Sequence, residues 1–424
     1  MEKAMLELEE KARAAKAASQ KLAFVSSKTK DSALLAVARA LREEQGEILA
    51  ANEADFREAE ASGMGVAMLD RLRLTPERLD GISRDVVAVA ALPDPVGEVF
   101  DMKTLPNGLV VGKKRVPLGV IAAIYESRPN VTVDISMLCL KSGNSVILRG
   151  GRETRHSNVA LVDVISSACC AAGVPAGAVA LIESPERTLV NRLLKMNDVI
   201  SLLIPRGGAE LIDFVRQNAT MPVVAGGIGV CHTYVDKLAD LAKAVAIVYN
   251  AKVQRPTVCN ALDCILVHRE IASSYLPLIS RELAKSGVEM RCDERALAIL
   301  QAQHAPGVKP AEQGDWGKEY LALIAAVRIV DSLDQALEHI SQYGSGHSEA
   351  IVSEDYSAVM RFLDEVDAAC VYANASTRFT DGGQFGLGTE VGISTQKIHA
   401  RGPMGLEELT SYKWIIFGSG QVRS

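Results

Sequence analysis

Four short apolar runs separated by helix-period segments constrain this chain more than any other feature. They are Gly119-Val120-Ile121-Ala122-Ala123-Ile124-Tyr125, Ser145-Val146-Ile147-Leu148-Arg149, Val179-Ala180-Leu181-Ile182 and Val199-Ile200-Ser201-Leu202-Leu203-Ile204. Each is short, bounded by turn residues and rich in β-branched side chains, which predicts a strand buried on both faces. Helices are predicted between them, over about 132–141 and 157–172 and again before the fourth strand. Strand and helix in alternation predict a parallel sheet covered on both faces, the α/β class. Such sheets bind ligands beyond the carboxyl ends of their strands. No Gly-x-Gly-x-x-Gly fingerprint follows any of these strands, so the usual pyrophosphate loop is missing.

Residues 1–95 read as mostly helical, with Ala and Leu at three- and four-residue spacing over 6–22, 33–48 and 50–61. Ser27 and Thr75 are the expected helix starts, and the expected role of these helices is to cover the sheet. Residues 99–111 suggest a hairpin about Pro106-Asn107-Gly108. A glycine-rich crossing over 222–236 leads to a second region that repeats the alternation. It has a helix over 238–250, a strand over 261–267, a helix over 272–286 and a late strand over 369–374. The loop over 378–388 is too glycine-rich for core. The tail over 410–418, with Tyr412, Trp414, Ile415 and Ile416, reads as a strand needing a partner, which another subunit could supply.

At 424 residues the chain exceeds one ordinary core, so two or three domains are expected. A hydrophobic share of 48% beside 23% charged residues describes a soluble globular protein. The net charge of −6 offers no basic surface for nucleic acid. No apolar run approaches the roughly 18 residues of a membrane span. The N-terminal segment is charged, with no apolar core, so no signal peptide is expected. The eight cysteines follow neither disulfide nor metal-ligand spacing. Reduced thiols, a cytoplasmic location and no bound metal are expected.

The stretch Asn250–His268 carries the most chemistry: a helix end, a polar turn at Gln254-Arg255-Pro256-Thr257, then a buried strand. Cys259 stands where turn becomes strand, near Lys252 and Arg255. A thiol beside cations loses its proton more easily than a free one. Taken alone, the stretch favours the plainer alternative, a small buried hydrophobe. Arg149, Arg152 and Arg155 follow one strand, where arginine forks could meet a phosphate or simply face solvent. Pro205-Arg206-Gly207-Gly208 ends another strand and opens a helix, whose N–H groups favour anions. A tight turn that needs glycine for its own geometry is the competing account.

Several segments taken together change these readings. Arg115-Val116-Pro117-Leu118-Gly119-Val120, Tyr125-Glu126-Ser127-Arg128-Pro129-Asn130-Val131-Thr132-Val133-Asp134 and Lys141-Ser142-Gly143-Asn144 resemble the gamma-glutamyl phosphate reductase family. So do the stretches 204–208, 250–260 and 374–388, and Ser394-Thr395-Gln396-Lys397-Ile398-His399-Ala400-Arg401-Gly402-Pro403. The likeness covers essentially the whole chain, in order. The family belongs to the aldehyde dehydrogenase superfamily, which implies two parallel-sheet α/β domains plus a small β oligomerisation flap. On that pattern residues 1–231 would bind the cofactor, with about 100–115 contributing to the flap. Residues 232–395 would carry Cys259, and 396–424 would supply a return segment and the oligomerisation strand.

The resemblance implies NADPH-dependent reduction of L-glutamate 5-phosphate to L-glutamate 5-semialdehyde and phosphate, in proline synthesis. Cys259 matches the family's nucleophile, and Asn130 its oxyanion donor. Glu390 matches the acid that holds the nicotinamide ribose. The Arg149, Arg152 and Arg155 group gains weight as a 2′-phosphate site, with Pro205, Arg206, Gly207 and Gly208 also on the cofactor. Arg255, Lys252, Ser376, Arg378 and Arg401 are the candidates for gripping substrate. His399 and His232 could move protons, although a packed or surface imidazole is the plainer reading of each. Ala225 departs from hydrolytic aldehyde dehydrogenases, which carry a water-activating glutamate at the matching place. The implied partners are a second copy of the chain and, functionally, glutamate 5-kinase. An acylating enzyme using a CoA thioester would share Cys259, and a non-catalytic binding or scaffold protein would share only the fold.

Overall fold

Burial in the computed structural model follows the strand–helix alternation. The model describes residues 2–224, 226 and 228–423, without the side chains of Lys3, Val66, Ala67 and Ala209. The chain forms two compact units. One comprises Met1–Gly226, Gly386–Gly392 and Pro403–Ser424; the other comprises Gly227–Phe385 and Ile393–Gly402.

In the first unit the strand Val120–Tyr125 is buried from end to end. It lies in a four-stranded parallel sheet in the order Val179–Leu181, Ser145–Arg149, Val120–Tyr125, Leu202–Arg206. Successive strands are added on one side of Val120–Tyr125 until Leu202–Arg206 joins on the other. That reversal opens a crevice at the carboxyl ends of these two strands. Helices Pro129–Lys141 and Ala209–Asn218 begin there, each straight after its strand.

Of the N-terminal helices, Glu2–Leu22 packs directly on this sheet, setting Leu8, Ala12 and Ala15 against Val120, Ala122 and Ile147. Ser27–Glu43, Gln45–Ala61 and Pro76–Ala91 do something else: they cover Pro129–Lys141 and Arg155–Ala171. The reason lies in Pro129–Lys141, which is buried on nearly every side. A helix apolar all round cannot face water and needs a second layer. Thr75 starts its helix as expected, accepting from the Arg78 N–H, but Ser26, not Ser27, makes the other cap by accepting from Thr29 N–H.

Two buried lysines bind that outer layer. Lys30 Nζ reaches Asp94 at 2.5 Å and the Lys141 carbonyl at 3.0 Å. Lys141 in turn meets Asp31 and the Ala90 carbonyl. Asp55 crosses from its own helix to cap another, accepting from the His156 and Ser157 N–H groups at 3.0 and 2.7 Å.

The same unit carries a three-stranded antiparallel sheet in the order Val99–Thr104, Val110–Pro117, Thr410–Phe417. Gly108, at φ +85°, supplies the left-handed turn of the hairpin. The C-terminal strand thus finds a partner within its own chain, Val110–Pro117, on one edge.

The second unit is built on a seven-stranded sheet. Its order is Val308–Pro310, Glu289–Cys292, Ile324–Val330, Leu262–His268, Cys231–Val235, Ser348–Val352, Cys370–Ala373, parallel throughout. No helix among the described residues is long and apolar enough to cross a membrane.

Removing one member of a buried ion pair leaves the other charge stranded, at a cost of about 3–5 kcal/mol. Lys30→Ala is expected to lower the unfolding free energy by about 3 kcal/mol, read by urea denaturation. Lys30→Met combined with Asp94→Asn should recover much of it. A loss under about 1 kcal/mol in the single variant would mean that the pair does not hold the layer.

Candidate active site

Cys259 lies between the helix Leu241–Val253 and the strand Leu262–His268. Pro256 cannot continue a helix, so the chain turns just beyond the helix end. Six contacts then hold the turn. Gly229 passes so close that a Cβ on it would sit 1.7 Å from the Cys259 carbonyl oxygen and 2.7 Å from its Cα. The Cys231 thiol donates to that same carbonyl at 3.2 Å. Asn260 donates to the Thr380 carbonyl at 2.8 Å, and its own carbonyl accepts from Thr377 Oγ1 at 2.8 Å. Arg378 spans the turn, donating to Asn260 Oδ1 on one side of Cys259 and to Gln254 Oε1, at 2.8 Å, on the other.

Cys259 itself is half-buried. Burial and the neighbouring Arg255 charge lower the Arg378 pKa, while Cys259 and Asp381 oppose them. Arg255 and Cys259 are therefore each within electrostatic reach of Arg378, and a cation beside a thiol favours its ionised form. Ser376 is buried and caps the short turn Thr377–Phe379, accepting from the Arg378 N–H at 3.3 Å.

The other two substrate candidates are placed elsewhere. Lys252 is completely buried and pairs with Asp263 at 3.4 Å. Burial lowers the Lys252 pKa and lifts Asp263 to about 6, so the ammonium is committed to the interior. Arg401 forms an ion pair with Asp367 at 2.7 Å, and Asp367 also holds Lys397. Neither belongs to the bracket around Cys259. His399 has the left-handed φ of +73°, and His232 lies in the core against Glu349. Cys259 and Gly229 precede the strands Leu262–His268 and Cys231–Val235, so this cluster sits at the amino ends of the sheet, opposite to the ligand end of ordinary parallel sheets.

In the first unit, three expected residues meet around one that the sequence reading missed. Asn130 donates to Asp134 Oδ2 at 3.0 Å, one helical turn on. Burial lifts the Asp134 pKa to about 7; Asn130 and Arg206 act against the shift, Asp85 and Glu390 with it. Asn130, Arg206 and Glu390 thus share one electrostatic neighbourhood at the strand-end crevice. The spacing of Asn130 and Asp134, four apart on a helix, was the available signal. Gly392 packs on Arg206, where a Cβ would lie 2.8 Å from Nη1. Ser127 adopts φ +44°, held there by Glu153 Oε1, which accepts from both its N–H and its Oγ at 2.7 Å. Strain of this kind in a non-glycine residue persists only where its surroundings fix it.

The start of helix Ala209–Asn218 already accepts an anion from its own chain: Gly208 N–H donates to Glu126 Oε2 at 2.9 Å. Pro205 and Arg206 end the preceding strand, and Gly207 leaves room beside the Glu126 carboxylate, 2.3 Å from where its Cβ would be. The three arginines diverge. Arg149 donates to the Gly150 and Pro185 carbonyls at 3.1 and 3.0 Å. Arg152 is exposed on a single 3-10 turn. Arg155 lines a groove of about 460 Å³ with Glu44, Glu47, Asp163 and Glu183. Ala225 lies outside the described residues.

Comparison with known proteins agrees with this architecture. The model of the aldehyde dehydrogenase family matches residues 3–304. A gamma-glutamyl phosphate reductase of Dehalococcoides mccartyi is 63% identical over 423 residues, 100% of each chain. The crystal structure of gamma-glutamyl phosphate reductase from Thermotoga maritima superposes with a TM-score of 0.95 at 48% identity, over 99% of this chain and 100% of that one. An acetylating aldehyde dehydrogenase from Geobacillus thermoglucosidasius shares the fold, with a TM-score of 0.70 at 20% identity over 100% of this chain and 98% of that one.

The Gly229 contact is backbone against backbone, so an added methyl must displace Cys259. Displacement of a reacting group by about 1 Å can cost roughly 100-fold. Gly229→Ala is expected to lower kcat by about that factor while leaving cofactor binding, measured by fluorescence titration, unchanged. Unaltered kcat in a folded variant would show that this approach does not set the position of Cys259.

Proposed function

The chain belongs to the aldehyde dehydrogenase family, and we propose that it reduces L-glutamate 5-phosphate to L-glutamate 5-semialdehyde and phosphate. The observation that carries this reading is the end-to-end likeness to gamma-glutamyl phosphate reductases, at 63% identity in one of them. Cys259 acts as the nucleophile. Its thiolate adds to the acyl-phosphate carbonyl, the bond to the phosphate oxygen breaks, and a thioester remains on Cys259. The Arg255 and Arg378 charges favour the thiolate and offer forks for the substrate phosphate and carboxylate, with Ser376 fixing the Arg378 backbone. Collapse of the Cys259 thiohemiacetal after reduction frees the aldehyde.

By resemblance, the Asn130 amide is an oxyanion donor, and one such donor is worth roughly 3–4 kcal/mol. Asp134, receiving the Asn130 amide, orients it. Ala225 supplies no base for hydrolysis, which suits an enzyme whose acyl intermediate must wait for reduction. Lys252 and Arg401, the other substrate candidates, would act only through Asp263 and Asp367 in the arrangement described.

The cofactor is a nicotinamide dinucleotide, and we infer NADPH; when bound it supplies the hydride. The residues fit such a group. Arg149 Nε is buried without a hydrogen-bond partner among the described residues, and Arg152 and Arg155 add exposed positive charge. Gly207 and Gly208 start a helix whose N–H groups suit a phosphate, and Glu390 suits the ribose hydroxyls.

The acyl phosphate is labile in water, so a kinase that phosphorylates glutamate must supply it; functional coupling to glutamate 5-kinase follows. The reaction belongs in the cytoplasm with that kinase.

Homo-oligomerisation through the small β-sheet is supported by one face of its last strand. Tyr412, Trp414 and Ile416 alternate along it and are about half exposed, at 48, 53 and 56%. Lys113 lies over the Tyr412 and Trp414 rings. Trp414→Glu is expected to halve the particle mass by light scattering, or reduce it further, with the monomer's helical signal retained. An unchanged mass would place any interface elsewhere.

The reaction is tested in reverse, with glutamate semialdehyde, NADP and phosphate, monitored as NADPH. Phosphate-dependent formation is expected, faster with NADP than NAD, and at least about 10³-fold weaker in Cys259→Ala. Turnover with CoA in place of phosphate would favour an acylating aldehyde dehydrogenase. Turnover with neither would mean that water reaches the thioester.

A further inference from the structure

The buried polar groups behind Cys259 form a connected chain that ends on its carbonyl. Cys231, Ser348 and Cys370 open three parallel strands, with Ser348 and Cys370 paired in register. Ser348 and Cys231 each stand one residue before the paired Glu349 and His232, so they too are neighbours across the sheet. His347, just before its strand, places Nδ1 at 2.8 Å from Ser348 Oγ. Ser348 Oγ lies 2.7 Å from Thr380 Oγ1, which lies 2.7 Å from the Tyr372 hydroxyl. Cys231, His347, Ser348 and Thr380 are all buried. Thr380 also joins this chain to the turn, since its carbonyl accepts from the Asn260 amide at 2.8 Å.

The Cys231 thiol has a single proton to give. The Cys259 carbonyl oxygen is 3.2 Å from its sulfur, and His347 Nδ1 is 4.0 Å away. His347 Nδ1 is in addition engaged by Ser348 Oγ, so distance and prior engagement both direct the proton to Cys259. Burial holds the Cys231 pKa well above the ordinary thiol value, with Glu349 and Asp263 adding to the shift, and the proton stays on sulfur at neutral pH. Burial also lowers the His347 pKa to about 4, against Glu349 and Glu319, so the ring beside the thiol is neutral.

The direction of that carbonyl matters to the sulfur of the same residue. A peptide oxygen carries partial negative charge. Turned toward Cys259 Sγ it would oppose the thiolate, and it would oppose the oxyanion formed when the thiolate adds to a carbonyl. Bonded to a buried thiol, with Gly229 passing over it, the oxygen faces the core.

We infer that Cys231 is a positioning residue: its thiol, backed by His347, Ser348 and Thr380, holds the Cys259 carbonyl in the core and away from the reacting sulfur. The inference rests on Cys259 as the nucleophile proposed above. A cysteine that only fills space would serve by volume alone, and substitution separates the two roles. Cys231→Ser keeps a donor in a smaller side chain, whereas Cys231→Val fills the space and donates nothing.

The test measures kcat and KM of both variants in the reverse reaction. It also follows alkylation of Cys259 by iodoacetamide across neutral and alkaline pH, by mass spectrometry of the Cys259 peptide. Cys231→Val is expected to lower kcat by roughly 10-fold or more, with KM changed by less than about twofold. Its alkylation midpoint should move to higher pH, while Cys231→Ser keeps both properties close to those of the unaltered chain. A folded Cys231→Val equal to the unaltered chain in both measurements would overturn the inference, as would Cys231→Ser impaired as much as Cys231→Val. Should either variant fail to fold, Ser348→Ala serves instead. It frees His347 Nδ1 to take the Cys231 proton, and the same two changes are expected without touching Cys231; an unaltered kcat and alkylation profile there would equally overturn the inference. No phosphate-dependent turnover in the unaltered chain would refute the proposed reaction instead, and the alkylation profiles would still decide the role of Cys231.

Discussion

The close passage of Gly229 over the Cys259 backbone is the constraint on which the chemistry proposed for this unit depends. A reactive thiol on a turn would ordinarily sample many positions, since connecting segments are more mobile than the elements they join. Here the turn has no such freedom. Glycine backbone presses from one side, the Cys231 thiol holds the carbonyl, and Arg378 ties the two flanks together. Preorganisation of this kind moves the entropy cost of positioning from the reaction to the folding of the chain. It also explains why so many groups near Cys259 are buried, because each contact needs a rigid second surface behind it.

The two units use similar sheets in opposite ways. In the first, the residues of interest gather at the carboxyl ends of two strands, where reversed strand order leaves a crevice. In the second, the thiol comes before its strand, at the amino end. The roles proposed for the two units would give this difference a physical basis. A cofactor needs helix N-termini and bare backbone, which parallel strands offer at their carboxyl ends. A nucleophile needs a fixed turn, and a turn entering a buried strand is fixed by the strand that follows.

Much of this was legible in the sequence because buried parallel strands are written in β-branched runs that few other structures tolerate. The strands at 120–125, 145–149 and 262–268, the 106–108 hairpin and the Thr75 cap all follow from local chemistry. The helical layers did not. Periodicity shows that a helix has an apolar face, but not that Ser27–Glu43 would meet another helix in place of the sheet. The site was legible to a different degree. Asn130 and Cys259 were singled out through motif resemblance, while Gly229, Cys231 and Asn260 come into view only through contacts between distant segments. Arg149, Arg152 and Arg155 look like a cluster in sequence. They fall on a strand end, a 3-10 turn and a helix start, and side chains on three such elements leave the backbone in different directions.

The Glu126 carboxylate at the start of helix Ala209–Asn218 has a consequence for how that unit behaves without company. Helix ends leave N–H groups that must be satisfied by something. Because the chain supplies its own anion to one of them, the Gly208 N–H, that group does not wait for a ligand. A phosphate binding the Gly208 N–H would have to displace the Glu126 carboxylate, a charge of its own sign. Occupancy then becomes a contest between two anions for one set of N–H groups. The outcome is set by the difference between them, and salt weakens both sides of that contest together.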